Sequence, residues 1–222
     1  QRLTDELISE YREKHGGEYP DKFAFVIWGT ETIRHEGVLQ AQILYLLGVR
    51  PVWNEWGKVE GVELIPRDQL GRPRIDIVIS GSAHEMFAVL EKHIDHAVEM
   101  VQDLDEPDNF VRKHYLETRA ELLRRGIEPQ LASRFAGVRI FDEPPGEYNL
   151  NVARMARASG AWDSDSVLAT EYLARMSHGY GHGFWGEPME EVYRMTLKGT
   201  KQVVHSRSTT LYGTLDNDDY FM

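Results

Sequence analysis

Two patterns of apolar spacing recur along the chain: short unbroken apolar runs, and residues spaced for one face of a helix, with a polar loop containing glycine between them. The fullest instance spans Gly71 to Glu85 and the helix after it. Ile75-Asp76-Ile77-Val78-Ile79 is almost wholly β-branched, as suits a strand covered on both faces in a parallel sheet, and Asp76 is its one charge. Gly81 permits a tight turn, and Ser80 and Ser82 can cap free amides. Met86, Phe87, Leu90, Ile94, Ala97, Val98 and Val101 then carry the helical spacing.

The same order occurs nearer the start. Leu3, Leu7, Ile8 and Tyr11 predict a helix over 3–14, stopped by His15-Gly16-Gly17. Phe23 to Trp28 is an apolar run of strand length, followed by a polar loop over 29–37 and a helix through Ala41, Leu44 and Leu47. Two such units predict βαβ winding and a parallel sheet. Between them, Pro51-Val52-Trp53 and Val62 to Ile65 read as short extended segments.

Beyond Asp105-Glu106-Pro107 the spacing becomes helical. Asn109 can cap a helix carrying Val111, Tyr115, Thr118 and Leu122 that ends at Gly126. Further helices are predicted over 129–135, 148–158, 164–177 and 188–198, with a short strand at 138–141. The expected class is α/β, a parallel or mixed sheet with flanking helices over residues 1–107. A mainly helical part over 108–222 follows, packed on the first.

Composition narrows the function. The chain has 222 residues, 41% of them hydrophobic, enough for a sizeable core. A formal charge of −11 argues against a nucleic-acid surface, which needs cations to displace counterions. No apolar run approaches the roughly 20 residues of a membrane span, and no basic-then-apolar leader opens the chain. A soluble, cytoplasmic protein is expected. Without cysteine there is neither a disulfide nor a thiolate metal site.

Several motifs carry candidate chemistry. Gly181-His182-Gly183-Phe184-Trp185-Gly186 matches the dinucleotide fingerprint in letters, yet a predicted helix precedes it where a strand is required. No lysine is followed by Ser or Thr, so there is no P-loop for ATP. His178 and His182, with Glu187 nearby, are a candidate metal set, against the alternative of a mobile glycine-rich loop with solvated histidines. Asp216, Asp218 and Asp219 can hold a hard cation or simply form a solvated turn, and Trp28, Trp53 and Trp56 read as core. The strongest candidates are the two strand-end loops, where Glu31, His35, His84 and Glu85 stand where ligands settle in an open α/β sheet. A carboxylate and an imidazole there can bind a metal or move protons near neutral pH.

The order and spacing of five motifs add a resemblance. Trp28-Gly29-Thr30-Glu31-Thr32, Gly48-Val49-Arg50-Pro51-Val52-Trp53, Gly61 to Pro66, Leu70 to Asp76 and Asp105-Glu106-Pro107 resemble the large subunit of cobaltochelatase and magnesium chelatase. Asn109 to His114 is similar to the magnesium branch, and Leu215 to Phe221 to the cobalt branch. The resemblance implies a segment from the C-terminal half of a tetrapyrrole-binding subunit. That subunit belongs to a multi-subunit ligase forming nitrogen–metal bonds, with a divalent metal, cobalt or magnesium, as substrate and ATP used by partner subunits. Cobalt insertion into a corrin precursor is the leading expectation. Magnesium insertion into protoporphyrin and a non-catalytic scaffold segment are the alternatives. On the leading expectation His84 and Glu85 are catalytic, Glu31 and His35 contact substrate, and His178 and His182 bind metal. The central loop departs from the family, because Ser82-Ala83-His84-Glu85 lacks the arginine usual there.

Overall fold

The structure is a computed structural model that describes residues 1–81, 84–147 and 162–205, together with 155, 158 and 160. The side chains of residue 30 and of residues 84–87 lie outside that description. Apart from 155 and 158, the predicted helix over 148–158 lies outside the described residues, as do the acids at 216, 218 and 219.

A six-stranded mixed sheet organises the chain. Its strands are β1 (Lys22–Ile27), β4 (Asp76–Gly81), β5 (Ile140–Asp142), β6 (His178–Gly181), β7 (Phe184–Pro188) and β8 (Gln202–His205), in the order β7-β6-β5-β4-β1-β8. β8, β1, β4 and β5 run parallel, and β6 and β7 add an antiparallel hairpin beside β5. β2 (Val49–Trp53) and β3 (Val59–Leu64) form a separate hairpin. The sheet therefore takes strands from both sides of residue 107.

Helices cover both faces. α1 (Arg2–Lys14), α2 (Gly29–Arg34), α3 (Val38–Leu47), α4 (Arg67–Leu70) and α5 (His84–Gln102) come from the first half. α6 (Phe110–Arg124), α7 (Pro129–Gly137), α8 (Asp165–Met176) and α9 (Glu190–Leu197) come from the second. Asn109 caps α6 as its sequence position implies, its side-chain oxygen accepting the Arg112 amide at 3.1 Å. β4 shows why its sequence has no alternation. Ile77 and Ile79 pack under α3 and α5, while Val78 faces a second core with Phe141, Val192 and Tyr193.

Buried charges fasten the edge where β4 begins. Arg72 donates to the carbonyls of Tyr45 and Leu46, and Arg74 to those of Leu47 and Gly48, so both arginines cap the carboxyl end of α3. Asp76, fully buried, meets Arg139 Nε and His114 Nδ1, each at 2.8 Å. Lys22 donates to the Thr196 and Lys198 carbonyls at the end of α9.

Two expectations change. Trp53 and Trp56 are not core: they project from the β2–β3 hairpin, 60% and 76% exposed, because that hairpin packs its base rather than its tip on the molecule. The glycine-rich stretch 178–188 is an ordered hairpin. Its short glycine-bearing strands give no apolar run, and pairing with β5 rather than intrinsic propensity forms them.

Candidate functional site at the carboxyl edge of the sheet

The parallel strands β1, β4, β5 and β8 all end on one edge, where the turns into α2 and α5 begin. Glu31 lies in α2, one turn past β1. It is buried, with its carboxylate 2.7 Å from the exposed Arg34 guanidinium. His35 follows α2 and its Nδ1 accepts the Val38 amide at 3.1 Å, which ties the ring to the turn into α3. His84 and Glu85 open α5, and their side chains lie outside the described residues. Because α2 packs against α5, the elements bearing all four residues meet at this edge.

The structure separates His178 from His182. An i,i+4 pair converges on a helix, but β6 is extended, and at about 3.3 Å per residue its ends, His178 and Gly181, are roughly 10 Å apart, with His182 beyond them. His178 opens β6 at the carboxyl edge, paired with Asp142, whereas His182 lies in the turn at the other end. There His182 Nδ1 is 2.5 Å from Asp95 Oδ1, its amide donates to Asp95 Oδ2 at 2.8 Å, and its ring lies on Gly137. Asp95, Glu99 and His182 approach one another closely enough to suggest a cation site. Yet Nδ1 is already bound to Asp95 and Nε2 faces the α7 backbone, so the group reads as a clasp of the β6–β7 turn on α5. Glu187 turns back to accept the Trp185 amide.

Three residues at the edge escaped the sequence reading. Asp142 ends β5 and Glu143 follows it, both buried, with the Glu143 amide donating to Asp142 Oδ1 at 2.7 Å. His205 ends β8 with its ring edge-on to Trp28, centroids 5.3 Å apart. The available signal was Asp142-Glu143-Pro144-Pro145-Gly146: a strand that stops at two acids before a turn sequence. On the opposite face of β4, Ser80 Oγ lies 2.5 Å from Tyr193 Oη and 3.1 Å from Tyr172 Oη. Burial, then the neighbouring Tyr172, pushes the Tyr193 hydroxyl far above its ordinary range, so it stays a neutral hydrogen-bonding group. A cavity of about 20 Å³ between the sheet and α5, lined in part by Gln40, Gly81 and Glu91, has room for a water molecule.

This edge brings carboxylates and imidazoles together near the start of a long helix. Such groups can ligate a first-row metal or accept protons.

Comparison with known proteins agrees with the resemblance. The family model described as CobN/Magnesium Chelatase matches residues 1–222. The chain is 38% identical to the chloroplastic ChlH subunit of magnesium chelatase from Oryza sativa subsp. japonica, covering 85% of this chain and 13% of that protein. It is 32% identical to the aerobic cobaltochelatase subunit CobN of Sinorhizobium sp, covering 97% of this chain and 17% of that one. Among solved structures, the catalytic subunit of cobaltochelatase from Mycobacterium tuberculosis superposes with a TM-score of 0.88 at 32% identity, over 99% of this chain and 18% of that chain. The chain thus spans under a fifth of the length of these relatives. With its whole length matched by one family model and by relatives on both metal branches, the chain belongs to the CobN/Magnesium Chelatase family.

Proposed function

We propose that this chain is the part of a chelatase large subunit that presents the carboxyl edge of its sheet to a tetrapyrrole, and that the complete enzyme inserts cobalt into a corrin precursor. The observation that carries the reading is the set of buried acids Glu31, Asp142 and Glu143 with His178 and His205 at the edge where α5 begins. Insertion removes two pyrrole protons while a cation is delivered. His84 and Glu85 are assigned the proton-accepting role, and Glu31 and His35 contact with the macrocycle. ATP is used by partner ATPase subunits in this scheme, consistent with the lack of a P-loop here. Magnesium insertion into a porphyrin is the second reading, favoured by the magnesium-chelatase relatives.

Absorbance titration of the chain with a corrinoid and with a porphyrin separates the two, the corrinoid being expected to bind more tightly. In the complete large subunit, His84→Ala and Glu85→Gln are each expected to slow insertion by roughly 100-fold, the scale of lost acid–base assistance, with little change in melting temperature. Near-normal insertion by both variants removes these two residues from the mechanism. The chain by itself is expected to bind macrocycle without turnover.

A further inference from the structure

We propose that His114 and Asp21 hold a structural divalent cation of the zinc type at the amino-terminal edge of the sheet, with Glu117 as a third donor. The ion ties α6 to the start of β1. This inference stands apart from the chelatase reading, because it concerns the edge opposite the turns into α2 and α5. Asp21 immediately precedes β1, and His114 and Glu117 lie on α6 at the i,i+3 spacing that puts two side chains on one helix face. All three line an open cleft of about 650 Å³ between α6 and α9.

His114 is oriented for this. Its Nδ1 lies 2.8 Å from Asp76 Oδ2. Asp76 is fully buried and paired with Arg139 as a carboxylate, which only accepts, so Nδ1 carries the proton and Nε2 is the ring nitrogen turned to Asp21. Metal-ligating histidines are commonly set in this way, by donating the other ring N–H to a carboxylate. His114 Nε2 stands 3.7 Å from Asp21 Oδ2. That is beyond the range of about 2.7–3.2 Å for an N–H···O hydrogen bond. It is close to the separation of about 3.4 Å for two ligands that each lie about 2.0–2.2 Å from one tetrahedral ion. The other carboxylate oxygen, Asp21 Oδ1, is buried and has no hydrogen-bond partner among the described residues. A buried acceptor left in this state costs free energy, and a cation between Asp21 and the imidazole removes that cost. The Asp21 carbonyl accepts the Asp76 amide at 3.0 Å, which fixes the two acids on either side of the ring.

The charges around the ring favour a cation. Asp21, Asp76 and Glu117 gather with Lys22 and Arg139, so three acids face two bases and a neutral imidazole leaves an excess negative charge. The bases are engaged elsewhere. Lys22 donates to the Thr196 and Lys198 carbonyls and Arg139 pairs with Asp76, while across the cleft Arg125 is held by Glu121 and Glu191, and Arg194 by Glu190. Lys113 lies 6.0 Å over the Phe110 ring. Glu117 is exposed, so its side chain can turn to the ion without leaving a packed position. Imidazole with carboxylates suits zinc or cobalt, whereas magnesium prefers oxygen donors and keeps its waters.

The test is titration of the chain with Zn²⁺ alone, read by calorimetry and by melting temperature. Wild type is expected to bind the ion and to melt higher in its presence, because a ligand held only by the folded form stabilises that form. His114→Asn keeps an amide N–H where Nδ1 now donates to Asp76 and removes Nε2; Asp21→Asn keeps the shape and removes the charge. Each is expected to weaken binding at least about 10-fold, the scale for losing even a group that supports a ligand, and to abolish the rise in melting temperature. His182→Ala is expected to retain both, which separates this site from the Asp95–Glu99–His182 group. Asp21 is only partly buried, so Asp21→Asn decides if His114→Asn fails to fold. An equal rise in melting temperature in the variant that decides overturns the proposal. So does a wild type whose melting is indifferent to Zn²⁺, which would leave Asp21 and His114 as an ion pair alone.

Discussion

Replacing Asp76 with Asn tests whether the amino-terminal edge of the sheet is held by charge. Burial alone would raise the Asp76 carboxyl pKa. The Arg139 guanidinium, the His114 hydrogen bond and Lys22 outweigh it and hold the group at about 2, against an ordinary 3.8. A folded pKa below the unfolded one contributes stability that is complete above the unfolded value and lost as pH falls through the folded one. That displacement is worth about 2 kcal/mol. Asp76→Asn forfeits this and also leaves Arg139, 3% exposed, beside a neutral partner. Removing one member of a buried ion pair costs about 3–5 kcal/mol. Asn still accepts one hydrogen bond, and Arg139 keeps its bonds to the Ala136 and Val138 carbonyls at 2.8 and 3.0 Å, so a loss near the lower limit is expected.

Urea unfolding of both proteins at pH 7 and at several values between 4 and 2 makes the measurement. The variant should unfold at lower urea with an unchanged slope, and the gap should narrow below pH 3.8 as the wild type loses what the variant never had. A gap below about 1 kcal/mol at pH 7 would contradict the magnitude set by the buried pair. A gap that persists undiminished to pH 2 would refute the electrostatic cause.

Two further outcomes check the fold. Gly48 has φ +76°, and a Cβ there would meet Arg74 Nη1 and stand 2.7 Å from Leu70 Cδ2. Gly48→Ala is therefore expected to cost about 2 kcal/mol in denaturant unfolding, through backbone strain and loss of the α3 cap; a loss under about 0.5 kcal/mol would show that the cap yields. Trp53 and Trp56 are expected to supply the larger part of the acrylamide-quenchable fluorescence, with Trp185, 49% exposed, supplying part of the rest, so replacing both with Phe should lower the quenching; equal quenching afterwards would place the hairpin tip against the body.

The elements legible in the sequence were those whose pattern expressed their burial. β4 is apolar at successive positions because helices cover both its faces, and α6 begins where Asn109 caps it. β6 and β7 were not legible, since two glycines among the four residues of β6 erase any strand signal. The separation of His178 from His182 follows from this, because their spacing has opposite meanings on a helix and on a strand. The Gly71-Arg72-Pro73-Arg74 motif was visible, but its role as a helix cap depends on carbonyls more than twenty residues away. Asp142 was missed because the strand was ended one residue early.

The two edges of the sheet therefore differ in what their polar groups do. At the amino-terminal edge, Arg139 pairs with Asp76, while Lys22, Arg72 and Arg74 donate to carbonyls at helix ends, so these charges are held within the fold. At the carboxyl edge the buried acids Glu31, Asp142 and Glu143 gather with the half-buried His178 and His205 where α5 begins. Removing a partner at the first edge strands a buried charge and costs stability. A substitution at the second, such as His84→Ala in the complete subunit, is expected to slow insertion with little change in stability. Stability loss at Asp76 together with slowed insertion at His84 would assign scaffolding to one edge and chemistry to the other, a division that a purely structural segment would not produce.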